Sequence, residues 1–368
     1  MGAMPASLAP AAGIRRKVLR ISGIIAVGVL TMNPSTTFPG TVAEASSSAT
    51  TVSEEKPFAG TSPFNVPIPE QPALDPNSAA MVAQASRSAR VYANLYEFGI
   101  PVHSAPVGTP RHDVSCTAPW GTCPFQDRSV AIPSHAAPNS GSDGAMVVMD
   151  ATTNTVSEFW QARRSADGRW TTTWGAINSL SGSGWGGNST GSGASRLGGV
   201  IRVDEIGSGV IDHALVVQSD NVCQGVHRAP ALKTDGTSTR SDCLPEGARL
   251  QLDPGLDVTA ISGITPGEVA VARAMQVYGA YVVDQGGAAL SMSFELAPDA
   301  TPTSPGAVYE AAGLRWDYYG MSKVPWNRLR VLATWQGDPV PATSTPEPTP
   351  ITSTTAPALP TKAPRGKR

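Results

Sequence analysis

From residue 145 onward the chain returns repeatedly to short runs in which apolar and polar residues alternate, and a period of two commits such runs to β-strands. The run 290–295 is the cleanest: Leu290, Met292 and Phe294 share one face, and Ser291, Ser293 and Glu295 the other. In 155–163, Val156, Glu158 and Trp160 alternate with Ser157, Phe159 and Gln161. The run 145–150 is nearly all apolar, as expected of a buried strand, and 210–218 also suits one. The run 169–176 is rich in Thr and Trp, and 329–334 closes the series. The chain's 37 glycines and 33 prolines supply the turns that many short strands need. A mainly β domain, a β-sandwich or jelly-roll-like fold, is therefore expected over 62–338. No blade repeat favours a propeller.

Two peripheral helices are expected with it. In 75–91, Ala79, Val82, Ala83 and Ala89 are spaced roughly as a helix face requires. The second has a full set of start and stop signals. Thr265 is placed to cap, Pro266 opens the first turn and Glu268 completes a capping box. Ile264 and Val269 are spaced for a hydrophobic staple. Val271, Ala274, Met275 and Tyr278 form a stripe, and Gly279 ends the helix.

The flanks point to export. Arg15, Arg16, Lys17 and Arg20 precede the apolar run 21–32, which is shorter than the roughly 20 residues a spanning helix needs. Ala43-Glu44-Ala45 supplies a small-x-small cleavage site, so 1–45 reads as a signal peptide. Arg15–Arg20 fits a twin-arginine signal with Val18 in the usual aromatic position; an ordinary secretory leader fits equally well. Cleavage after Ala45 takes the formal net charge from −2 to −5, leaving no membrane segment and no basic face for nucleic acid. Residues 46–61 read as a linker. The stretch 339–368 reads as a Pro/Thr-rich disordered tail, a stalk or wall spacer. The even cysteine count suits an oxidising compartment. Spacing favours Cys116–Cys123 and Cys223–Cys243, against a four-cysteine zinc site without short pairs.

Several segments occur together in a familiar combination. They are Asp75-Pro76-Asn77-Ser78-Ala79-Ala80, Glu158-Phe159-Trp160-Gln161-Ala162, Ile211-Asp212-His213-Ala214-Leu215, Pro245-Glu246-Gly247-Ala248-Arg249-Leu250 and 278–287. The set resembles a family of exported proteins common in actinobacteria. That resemblance implies export and a single domain; it carries over no activity and no catalytic residue.

The chemistry must then come from the residues. An exported jelly roll most often meets carbohydrate, a fold-level association. Trp160, Trp174 and Trp185 cluster around the Gly/Ser-rich loop 179–199, and aromatic faces stack on sugar rings. The expected site is a concave sheet carrying Glu158, Trp160, Gln161 and His213 under that loop, with glycan, polysaccharide or cell-wall polymer as partner. One scheme is β-elimination on an acidic polysaccharide by Gln161, Asn178, Arg196, His213 and Tyr281. The other is glycoside hydrolysis by Glu158 with Glu205 or Asp284. His213 is expected mid-strand with Asp212 on the opposite face, and the plainer reading makes it a core histidine. Arg202, Asp204 and Glu205 read as a solvated turn, and Glu246 with Arg249 as a surface ion pair. No metal-ligand spacing, dinucleotide fingerprint or G-x-S-x-G elbow occurs, so no cofactor or metal is expected. The rival reading is a non-enzymatic envelope or adhesion module on its stalk, outside or at the cell wall.

Overall fold

The computed structural model describes residues 56–333. The expected signal peptide and tail lie outside them. In chain order the described residues form α1 (Ser78–Ala85), β1 (Tyr92–Asn94), β2 (Val102–Ala105), β3 (Arg111–Cys116) and β4 (Ser129–Ala131). Next come β5 (Met146–Asp150), β6 (Thr155–Trp160), β7 (Arg163–Arg164), β8 (Trp170–Thr172) and β9 (Trp174–Ser179). After α2 (Val203–Ser208) follow β10 (Leu215–Ser219), β11 (Val222–His227), β12 (Leu244–Glu246) and β13 (Arg249–Leu252). The last are α3 (Pro266–Val277), β14 (Ala280–Gln285), β15 (Ser291–Ser293), α4 (Ala307–Ala311) and β16 (Leu329–Val331).

The chain is mainly β, as its alternation demands. A mixed six-stranded sheet has the order β1-β15-β10-β14-β13-β16. A four-stranded sheet, β2-β5-β6-β9, a second one, β4-β3-β8-β7, and the pair β11-β12 complete the strands. Several neighbours run parallel, among them β10 with β14 and β2 with β5.

Period two sorts the strand residues into layers. On β10, Leu215 and Val217 join α1 and α3 in one core, while Val216 faces a second. On β14, Ala280 and Val282 join the helix-side core, and Tyr281 and Val283 the second. On β5, Val147 completes the second core, whereas Met146 and Val148 meet Phe125, Val130 and Trp170 in a third. The order is thus helices, six-stranded sheet, first four-stranded sheet, second four-stranded sheet. Strands β5 and β6 are covered on both faces, which is why β5 is apolar up to Asp150 and why β6 buries Ser157 and Glu158 as well as Val156 and Phe159.

The capping box of α3 forms: Thr265 Oγ1 accepts from Glu268 N–H and Glu268 Oε2 from Thr265 N–H. Gly279 follows at φ +67°, where an added Cβ would meet Leu250 O, so the helix ends where glycine fits. Other expectations need correction. The first helix covers only Ser78–Ala85, and α2 and α4 are two short helices that lacked a helical repeat long enough to announce them. Strand β10 starts at Leu215, so His213 precedes it. Phe58, assigned to the linker, is buried against Phe64. Both expected disulfides are present, Cys116–Cys123 and Cys223–Cys243. Among the described residues no helix is long and apolar enough to cross a membrane.

Candidate functional site

The loop 183–199 is not a loose flap. It is packed into the core between the six-stranded sheet and the sheet β2-β5-β6-β9, with Trp185, Ala194 and Leu197 buried. Glu158 holds it there. Register pairs Val156 with Asn178 across β6 and β9, so Asn178 and Glu158 share the face turned toward the loop. Glu158 is fully buried and accepts hydrogen bonds from Asn178 Nδ2 (2.9 Å), Arg196 N–H (2.9 Å), Ser189 Oγ and Ser195 Oγ. Burial raises its carboxyl above the ordinary range even against these four donors. A carboxylate saturated by its own protein anchors the loop and leaves no lone pair for a substrate.

The anchored loop forms one wall of a cleft of about 910 Å³. Trp120, Trp160 and Trp174 line it together with Tyr92, Phe98 and Tyr318. The Trp120 ring lies 5.8 Å from Trp160 at 19° and 5.8 Å from Trp174 at 52°. Trp120 belongs to the short loop closed by Cys116–Cys123 and is 61% exposed, enough to offer a ring to a ligand. Asp143 accepts from Trp160 Nε1 at 3.3 Å, fixing that indole. Asn188, Arg196, Gln218, Lys233, Asp235 and Asp284 supply polar lining. Apolar rings with a few convergent polar groups are the usual make-up of a ligand site.

Asp284 reaches the cleft because β14 is irregular. The register with β10 shifts so that Val217 partners Val282 and Gln218 partners Asp284, leaving Val283 extra. Strict alternation would send Asp284 toward the helices with Val282; the bulge turns it to the cleft beside Val283. There Gly191 N–H donates to Asp284 Oδ1. One carboxylate oxygen from each of Asp235, Glu246 and Asp284 lies within 4.8 Å of the others. Burial, reinforced by the charges of Asp235 and Asp284, pushes the Glu246 carboxyl up to about 9. Burial pushes Asp284 up to about 7, with Arg196 opposing the rise and Asp235 adding to it.

The structure thus brings together Glu158, Asn178, Arg196, Trp160, Trp174 and Asp284 in or behind the cleft. Gln161 stands beside it, held by Thr173 Oγ1 (2.6 Å) and Ser142 O (3.3 Å). Three expected site residues sit elsewhere. His213 contacts Glu205 of α2, with Nε2 3.0 Å from Oε1, and lines no part of the cleft. Trp185 is fully buried, stacked on Phe64 at 5.3 Å, so its ring is core. Tyr281 is buried as well, edge-on to Trp185 and 5.0 Å from the Arg249 guanidinium carbon. The five-residue elimination set is therefore not assembled.

Glu246 and Arg249 are not a surface pair. Both are buried, and Arg249 donates to Tyr278 O (2.8 Å) and Val66 O (2.6 Å). Nor is Glu205 solvated: it bonds His213 and caps α2 through Arg202 N–H. Sequence reasoning missed Trp120, Asp143, Lys233, Asp235 and the role of Glu246. Its one available signal for Trp120 was a tryptophan inside a short disulfide loop. Neither a protein-family model, nor a curated protein, nor a solved structure matches the chain.

Proposed function

We propose that this is an exported protein that binds a glycan in the cleft between its sheets. The Trp120–Trp160–Trp174 wall supports the reading: rigid rings, one of them exposed, beside amide, carboxylate, guanidinium and ammonium groups. Sugars present apolar C–H faces ringed by hydroxyls, which is the complement of that lining. Export draws support from the leader sequence and from two disulfides, which persist in oxidising compartments.

Processing of the bound glycan is the further part of the proposal, with the cleft carboxylates as the groups that would act. The experiment is to incubate the mature protein with neutral and uronate polysaccharides. New reducing ends identify hydrolysis; ultraviolet-absorbing unsaturated ends identify elimination. Retention on a glycan column with neither product identifies a binding module. Failure of every glycan to be retained or altered ends the reading.

A further inference from the structure

We infer that Asp235, Glu246 and Asp284 form a binding site for a hard divalent cation of the calcium class at the edge of the cleft. The three carboxylates arrive from different places: Asp235 from the irregular segment between β11 and β12, Glu246 from the end of β12, Asp284 from the bulge of β14. Their convergence within 4.8 Å is tertiary, and proximity of acids alone would not make a site.

A second observation points to a ligand. Glu246 is 0% exposed, and its Oε1 has no hydrogen-bond partner, although Oε2 accepts from Asp235 N–H at 3.2 Å. A buried carboxylate oxygen without a donor is costly and calls for a counter-group. That oxygen is directed to where the other acids are. A Cβ placed on Gly191 would lie 2.5 Å from Asp235 Cγ and 2.6 Å from Glu246 Oε1. The chain keeps a glycine there, so the backbone borders the carboxylates without filling the space.

The chemistry selects the ion. Every donor is oxygen, which favours hard cations over zinc or copper. Calcium takes several carboxylates in a flexible shell, whereas magnesium keeps most of its waters and is held through one or two carboxylates. Three convergent carboxylates therefore suit calcium. Two cationic groups face the region. Lys233 Nζ is held by Thr190 O at 2.7 Å, and Arg196 donates to Ser189 O. Three acids and the nearby Asp143 outnumber them among the charges at the cleft. Asp235 is exposed and Asp284 lines the cleft, so an ion held there would keep positions open to hydroxyls or carboxylates of a ligand.

The test uses the purified full chain, stripped with chelator and titrated calorimetrically with CaCl2 and then MgCl2, without glycan. One calcium per chain is expected, weaker magnesium binding, and a melting temperature that rises with calcium. Asp235→Asn, at an exposed position that preserves the fold, should weaken calcium binding at least tenfold. Asp212→Asn, which alters an exposed acid paired with Lys56, should leave it unchanged. Circular dichroism confirms that each variant is folded. A folded chain with no calcium heat and no thermal shift overturns the inference. So does calcium binding that Asp235→Asn leaves intact, or magnesium binding as tight as calcium. Because no sugar is present, calcium binding without glycan binding would sink the glycan reading alone, and the reverse would sink this one.

Discussion

Glu158 shows what one buried charge does in this molecule. It takes one donor from β9 and three from the loop that walls the cleft, and so fixes that loop. Glu158→Ala leaves those donors unpaired, and buried unpaired donors cost about 1–3 kcal/mol each. Partial relaxation brings the expected loss to about 3–5 kcal/mol in urea denaturation. A change within about 0.5 kcal/mol would mean the loop stands without it. His213 makes a contrasting residue-scale case. Burial works to lower its pKa, but the groups that raise it, led by the hydrogen bond and charge of Glu205, together make the net shift upward. Asp212 and the carbonyl of Ala214 act in the same direction. A raised folded-state pKa contributes stability that is complete below the unfolded value, about 6.5, and is lost as pH rises through the folded value. The stability advantage of the wild type over His213→Gln should therefore shrink from mildly acidic to alkaline pH. A difference that stays constant with pH would contradict the pairing.

Among the elements, α3 is the one whose limits follow from local chemistry. Thr265→Ala removes an acceptor from Glu268 N–H and should cost about 1 kcal/mol, read as a lower urea midpoint. An unchanged midpoint would show that packing alone sets the helix start. The same locality explains what was legible in the sequence. The cap, the stripe of Val271, Ala274 and Met275, and the stop at Gly279 are all encoded within one turn or two. Strand β5 was legible because burial on both faces left a nearly unbroken apolar signal, and β6, which carries Thr155, Ser157 and Glu158, through its period of two. His213 was misplaced because apolar residues lie on both sides of it, Val210 and Ile211 before and Ala214–Val217 after, and apolarity does not say where pairing begins; β10 begins at Leu215. Asp284 could be placed only by a bulge, a property of two strands rather than one. Asp235 and Glu246 belong to separate loop and strand ends, so no spacing rule links them. Trp185 looked like a loop tryptophan because nothing local says that the loop itself is core.

Across the whole molecule, sheets of alternating side chains build the layers, and the cleft opens where the six-stranded sheet, the anchored loop and the Trp120 loop meet. The two disulfides act on different parts of this arrangement. Cys223–Cys243 spans 20 residues, so replacing both with serine should lower stability by about 3 kcal/mol. Cys116–Cys123 holds the loop bearing Trp120, so Cys116→Ser with Cys123→Ser should weaken ligand binding as well as stability. Equal glycan affinity in that double variant would detach Trp120 from the site. The most direct measurement of the central claim is calorimetric titration of the wild type and Trp120→Ala with the glycans retained on a column. Truncating an exposed ring should spare the fold and weaken binding about tenfold, equivalent to ~1.4 kcal/mol. Undiminished affinity in the folded variant, or no binding by the wild type to any neutral or uronate glycan, would contradict the account.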